Sequence, residues 1–269
     1  MVLDPKAIAQ RRFATTGACL SNEDIIVRHA TDVDATTETL VEAIRPERTS
    51  ARICELGFGL GWLLEELAKR WLDASLVGLD QSPGMAAHVR ELLGSRATVI
   101  QGDMERLPFA GSSFDSVATC WTLYFMTDID ATLEEIKRTL RPGGRLVAAT
   151  VAADHQIELD RLSHAAVEAA LGPRSPVDVT HRFNLESGLP YMQRHFDEVQ
   201  VREWRGVLAL PDVETLVAFW KGGGARWLLG DDTDRVQHEI VRLGEEWLAR
   251  DGEMRITRHG GLFVGSLAS

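Results

Sequence analysis

The segment Ile53-Cys54-Glu55-Leu56-Gly57-Phe58-Gly59-Leu60-Gly61-Trp62 constrains this chain more than any other: an apolar run ends in three alternate glycines and opens onto an amphipathic stretch. A strand that passes into a helix through such a loop belongs to a repeated strand-helix architecture. Glycine there permits positive φ and lets a ligand approach the backbone, while the amides of the next helix start supply donors. The same pattern also reads as a plain strand-to-helix turn, so a nucleotide-type site needs further residues to support it.

Those residues come from the segments that follow. Short apolar runs predict strands near 51–56, 75–80, 97–101, 114–120 and 144–151, with helices near 61–72, 83–94 and 130–141 between them. Arg141-Pro142-Gly143-Gly144 is the sharpest stop, because proline cannot continue a helix and the glycines let the chain reverse. Right-handed crossovers then call for a parallel sheet with helices on both faces. Beyond Val151 the pattern predicts a helix at 157–171, a loop through Pro173 and Pro176, a strand from Glu198 to Trp204, and helices near 212–221 and 232–250. A last extended segment, Met254 to Ser266, carries Gly260-Gly261 as an expected bulge or bend. The first thirty residues show no clear period, and Thr31 to Ile44 reads as a helix ended by Pro46. The resulting division is a helical cap (1–45), a binding core (46–153), and a C-terminal completion of the sheet (154–269) with a helical lid inserted at about 206–250. Lys221-Gly222-Gly223-Gly224-Ala225-Arg226 reads as a hinge or mobile lid tip.

Bulk properties narrow the function classes. A formal net charge of −11 over 269 residues argues against a phosphate-backbone binder, which needs a basic surface. Met1 to Arg12 has no apolar core of signal-peptide length, and no stretch reaches membrane-spanning length. Cys19, Cys54 and Cys120 are odd in number and lack metal-ligand spacing, which favours free thiols, a cytoplasmic setting and no metal.

Acidic residues then separate two nucleotide chemistries. A dinucleotide fingerprint would place its third glycine where this chain has Trp62, and a carboxylate at Glu55 would repel a pyrophosphate. Glu55 suits a ligand with an ammonium and a sulfonium. Val77-Gly78-Leu79-Asp80 ends the second strand with a carboxylate able to accept both ribose hydroxyls, although Asp80 to Ser82 before Pro83 also reads as a helix cap. Gly102-Asp103-Met104 puts a third acid after the third strand, where Asp103 could accept from an adenine amine and Met104 could lie against a ring. Each acid alone is an ordinary turn or cap residue. Three at successive strand ends converge where open α/β sheets bind ligands.

Over residues 45–152 the chain resembles the class I S-adenosylmethionine-dependent methyltransferases, in particular small-molecule members with the compact methyltransferase domain. Glu55 to Gly61 matches the family's glycine loop, Asp80 its ribose acid and Asp103 its adenine-contacting Asp. Leu107-Pro108-Phe109, Ser113-Phe114-Asp115-Ser116-Val117 and Leu140-Arg141-Pro142-Gly143-Gly144 match its approach to strands four and five. The resemblance implies a Rossmann-like, mostly parallel sheet with a final antiparallel strand, helices on both faces and a helical lid. It implies adenosylmethionine as cofactor, adenosylhomocysteine as product, and a cofactor set of Glu55, Gly57, Phe58, Gly59, Gly61, Asp80, Gln81, Met85, Asp103, Met104, Cys120 and Trp121. Many relatives carry histidines after the fourth strand, where this chain has Tyr124 and Phe125. His181-Arg182-Phe183-Asn184-Leu185 and Ile256 through Val264 are similar to the tails of bacterial small-molecule members.

Methyl transfer depends chiefly on alignment, and a base is needed only when the acceptor must lose a proton. Tyr124, His155 and His181 are the candidate bases or orienting groups, with Asp154 placed to tune His155. Trp204, Trp220, Trp227 and Trp247 are core or pocket-lining residues. The expected partner is a small organic acceptor, with no nucleic acid or membrane and a monomeric or homodimeric state. The alternatives are a non-catalytic adenosylmethionine-binding protein, a macromolecular methyltransferase and, against Trp62 and Glu55, a nicotinamide oxidoreductase.

Overall fold

The computed structural model describes residues 4–13, 16–45, 47–174, 178–223, 228 and 231–268. Seven strands form one sheet: β1 (Arg52–Leu56), β2 (Ser75–Asp80), β3 (Ala97–Gln101), β4 (Phe114–Cys120), β5 (Leu140–Val151), β6 (Glu198–Leu210) and β7 (Met254–Ser266). Their order is β3-β2-β1-β4-β5-β7-β6. β1 to β5 run parallel, β7 runs antiparallel to β5, and β6 runs antiparallel to β7. The mostly parallel sheet with an antiparallel final strand is therefore present.

Period-two alternation sends neighbouring residues into opposite cores. Ile53, Leu76, Ala118, Val147 and Leu262 join one apolar cluster with α3 (Val33–Ile44), α4 (Trp62–Arg70) and α5 (Pro83–Leu93). Cys54, Val77, Val117, Leu146 and Phe263 join the other, against α6 (Ile129–Thr139) and α8 (Leu185–His195). Burial on both faces explains why these strands read as continuous apolar runs. Local signals fix the helix starts: the Ser82 hydroxyl accepts from the Met85 amide ahead of Pro83, and Asp128 accepts from the Ala131 amide.

The β6–β7 hairpin outgrows the rest of the sheet. β5 makes its last pairing at Val151 with Gly260, whereas β6 and β7 stay paired from Trp204 with Gly260 out to Leu210 with Met254. At about 3.4 Å per residue, this overhang projects roughly 20 Å past the carboxyl edge of β5. It carries a third core, in which Leu208, Leu210 and Ile256 pack with Leu159 of α7 (Ile157–Leu171), Trp220 of α9 (Val213–Gly222), Ile240 of α10 (Asp231–Asp251) and Ile25 of α2 (Gly17–His29). Residues 206–210 thus continue a strand, and the helical segment expected over 206–250 begins at Val213.

Elsewhere the structure supplies elements that the sequence pattern does not show, and it corrects one expected bend. The first thirty residues hold α1 (Pro5–Arg12) and α2. Their helix signal is Asp4, whose side chain accepts from the Lys6 amide, followed by Pro5. Helix α8 escaped the sequence pattern because it contains Gly188 and Pro190; an Asn184–Ser187 capping box starts it. Gly260-Gly261 makes no bulge, since both pair in register on each side. A Cβ there would instead meet the Trp204 indole at 2.9 Å or the Arg202 carbonyl at 2.5 Å. Gly222 ends α9, and a Cβ on it would run into Asn22 of α2. Pro46, Pro176, Gly224 to Arg226 and Trp227 lie outside the described residues. Among the described residues no helix is long and apolar enough to cross a membrane.

The hairpin is pinned to the amino-terminal part through Thr31 and Asp32. Thr31 exchanges hydrogen bonds with Val207, and the buried Asp32 carboxylate pairs with Arg258 at 2.6 Å. The other oxygen accepts from the Thr36 hydroxyl at 3.4 Å, and Asp32 precedes α3 without a side-chain cap to its amides. Removing one member of a buried pair strands the other charge, and Asp32→Ala is expected to cost about 3–5 kcal/mol in denaturant unfolding. Asp32→Ala combined with Arg258→Met should cost less than Asp32→Ala alone; an equal or larger loss would show that the pair itself does not matter.

Candidate active site

β1 delivers Glu55 to the glycine loop at the carboxyl edge of the sheet. Gly57, Gly59 and Gly61 have φ of 72°, 54° and 83°. The three serve different ends. A Cβ on Gly57 would lie 2.7 Å from Thr122, and one on Gly61 would lie 2.7 Å from Val89, whereas one on Gly59 would meet nothing within 4 Å. Gly57 and Gly61 let the protein close on itself, and Gly59 leaves backbone open to a ligand.

The three acids sit in unlike environments. Glu55 is 2% exposed, and among the described residues its Oε2 has no hydrogen-bond partner. Burial first and the neighbouring Asp80 second push its carboxyl well above the usual carboxylate range, against a hydrogen bond from the Leu64 amide. Asp80 accepts from the Gly59 amide through Oδ2 at 3.0 Å and from the Ser82 amide through Oδ1 at 2.8 Å. It ties two loops together and leaves the α5 cap to Ser82. Asp103 accepts from the Glu105 amide at 3.0 Å and from Lys6 Nζ at 2.6 Å. Partial burial works to raise Asp103, but the Lys6 and Glu105 hydrogen bonds hold it below the usual carboxylate range. The Gly102 amide donates to the Asp80 carbonyl, so the two loops are continuous, and the Gln81 carbonyl accepts from the Gln101 side chain.

Some expected contacts turn inward. The side chains of Phe58, Met85, Met104 and Cys120 are buried in the two central cores. Burial, with Glu55 beyond it, also drives the Cys120 thiol upward and leaves it protonated. Trp121 is different. It is half-buried at the end of β4 with φ of 53°, a left-handed conformation that a bulky residue rarely adopts, and its amide donates to the Ala149 carbonyl. Its indole leans on that of Trp62, with ring centroids 6.2 Å apart. Trp62, which obstructs a dinucleotide loop, therefore forms an indole pair at the crevice.

The three candidate bases are not brought together. Tyr124 is buried against Phe125 in the core, and its carbonyl accepts from Arg182. His155 follows β5, with Nδ1 lying 3.0 Å from the His259 carbonyl and 3.1 Å from its amide; burial, followed by the charge of Arg258, pushes it down to about 4, so it is neutral at pH 7. The side chain of His181 is 68% exposed in a short turn beside Asp178. Asp154 does not bond His155: its carboxylate meets His259 and Arg205, and His259 Nε2 lies 3.2 Å from Glu203. His259 and Lys6 went unnoticed in the sequence because their partners lie about a hundred residues away, at separations of 105 and 97. Among the described residues no group of three or more His, Cys, Asp or Glu could hold a metal.

The residues fit a ligand with an ammonium and a ribose: a buried carboxyl oxygen lacks a partner, a fixed carboxylate stands at the end of β2, and a glycine faces open space. Residues 54–148 match a family model described as a methyltransferase domain. The chain is similar to a demethylmenaquinone methyltransferase of Roseiflexus castenholzii, 35% identical over 125 residues, which covers 46% of this chain and 52% of that protein. It thus spans about half the length of that relative. A demethylmenaquinone methyltransferase of Beutenbergia cavernae is 33% identical over 186 residues, covering 68% of this chain and 71% of that protein. In fold, the chain is similar to a phosphoethanolamine N-methyltransferase of Haemonchus contortus solved with S-adenosyl-L-methionine, with a TM-score of 0.61, 16% identity, and coverage of 100% of this chain and 61% of that one. Strand order, glycine loop and relatives agree: the chain belongs to the class I S-adenosylmethionine-dependent methyltransferases.

Proposed function

We propose that this chain transfers a methyl group from adenosylmethionine to a small organic acceptor. The observation that carries the reading is the unpartnered Glu55 oxygen, buried at the strand edge that also presents Asp80 and Gly59. When bound, adenosylmethionine supplies a methyl carbon that an acceptor lone pair takes in line, while the carbon–sulfur pair returns to sulfur as adenosylhomocysteine leaves.

The chain's own residues bind, orient and exclude water. Glu55 receives the ammonium, Asp80 accepts from the ribose hydroxyls and Asp103 from the adenine amine. The Gly59 backbone lies along the ligand, and Trp62 with Trp121 walls the sulfonium end. Gly57, Asp80 and the turn at Trp121 are fixed by hydrogen bonds or close contact before any ligand arrives. Such alignment is worth an effective concentration of roughly 10⁵–10⁸ M. The overhanging hairpin with α7, α9 and α10 bounds the acceptor side as a lid.

Tyr124 in the core, His155 neutral and His181 on the surface support an acceptor that arrives nucleophilic, such as a neutral amine, over one that must be deprotonated. The net charge of −11 supports a small acceptor over a nucleic acid. The demethylmenaquinone methyltransferases among its relatives are consistent with an organic acceptor. Three free cysteines support a cytoplasmic setting.

Two ligand-binding measurements test the site. Asp80→Ala should weaken adenosylmethionine and adenosylhomocysteine alike by about tenfold or more, since both keep the ribose and hydrogen bonds to a carboxylate are strong; unchanged affinity by calorimetry would reduce Asp80 to a loop tie. Glu55 poses a proton question. Burial and Asp80 raise its carboxyl and an ammonium beside it works the other way, so binding shifts the carboxyl towards its ionised form with release of a proton, and affinity rises with pH through that range. Calorimetry at mildly acid pH in buffers of different ionisation enthalpy should detect that release in the native protein and none in Glu55→Gln. Equal release in both would place the ammonium elsewhere.

A further inference from the structure

The loops after β2 and β3 are both fastened to one short stretch of the amino terminus. The Ser82 hydroxyl, two residues past Asp80, donates to the Phe13 carbonyl at 3.1 Å. At the other end of α1, Lys6 Nζ lies 2.6 Å from Asp103 Oδ2 and 2.5 Å from Glu105 Oε2. Between these ties α1 rests on the turn at Leu123–Phe125, and the Phe13 ring meets Phe125 edge-on with centroids 5.8 Å apart. One helix therefore bridges the loop of the proposed ribose acid, the loop of the proposed adenine acid and the turn after β4.

We infer that residues 4–13 are a strap across the nucleoside subsite, and that Lys6 is its latch, so that cofactor leaves when the Lys6 ion pairs open. The inference rests on the cofactor site proposed above. Lys6 and an adenine amine share one carboxylate, because each Asp103 oxygen has taken a single donor and can take a second. The two ends of the amino-terminal part are held by unlike bonds. Asp32 and Arg258 are 1% and 10% exposed, whereas Lys6 and Asp103 are 21% and 42% exposed. Salt screens the Lys6–Asp103 pair and spares the Asp32–Arg258 pair. Opening therefore begins at Lys6 and leaves α3 in place.

The test is the release rate of pre-bound radiolabelled adenosylhomocysteine chased by unlabelled ligand, at low and high salt, for the native protein, Lys6→Met and Lys6→Arg. Native release should accelerate with salt. Lys6→Met should release about fivefold faster at low salt, the scale of a partly exposed ion pair, and should respond little to salt. Lys6→Arg should restore both the native rate and its salt response. Circular dichroism and thermal midpoints separate a folding defect from a latch, because a purely structural Lys6 would shift the midpoint without changing release. Native release indifferent to salt, or Lys6→Met release at the native rate, would overturn the strap. Absence of adenosylhomocysteine binding in the native protein would overturn the cofactor site itself, and the strap with it.

Discussion

The crevice depends on the contact between the loop after β1 and the turn after β4. The Gly57 amide donates to the Leu79 carbonyl at 2.7 Å, while its bare Cα faces the Thr122 side chain, and no larger residue fits. That contact fixes where Gly59 opens and where Glu55 ends its strand. Trp121 accepts an unfavourable φ as part of the same closure, held by the hydrogen bond its amide donates to the Ala149 carbonyl of β5. Strain of this kind survives only where the surrounding structure over-determines it.

A second constraint is electrostatic. Three carboxyl groups meet at one edge of an acidic chain, and the fold keeps them from acting as three equal charges. Glu55 is buried and biased towards its neutral form, Asp80 is fixed by two amides, and Asp103 is matched by Lys6. Repulsion at the edge is thereby limited before a cationic ligand contributes any charge of its own.

Much of this architecture was legible in the sequence, and its gaps have physical causes. β1, β2, β4 and β5 are buried on both faces, so each announces itself as an apolar run, while the edge strand β3 is only partly buried. Their carboxyl ends mark the crevice, which is why Glu55, Asp80 and Asp103 could be singled out as a group. Side-chain direction was not legible: Met85 and Phe58 lie beside the loop in sequence yet point into the core, because helix and loop phase, not adjacency, sets burial. Helix α8 carries Gly188 and Pro190, which speak against a helix, but a Cβ at Gly188 would strike Phe263, so close packing on β7 outweighs propensity. The pairing of Asp154 with His259 instead of its neighbour His155 arises only once β5 and β7 lie side by side.

The bond between Asp32 and Arg258 spans 226 residues of chain. At synthesis rates of 5–20 residues per second, the amino-terminal part waits about 10–45 s on the ribosome before its partner exists. Through that interval the apolar face of α3, with Leu40, Val41 and Ile44, can rest on β4 and β5, but α2 lacks the hairpin core that buries Ile25. The nascent chain can therefore assemble β1 to β5 before the hairpin core that covers α2 exists. Asp24 and Arg28 keep the outer side of α2 charged at that stage, and the molecule closes once β7 pairs with β5 and β6.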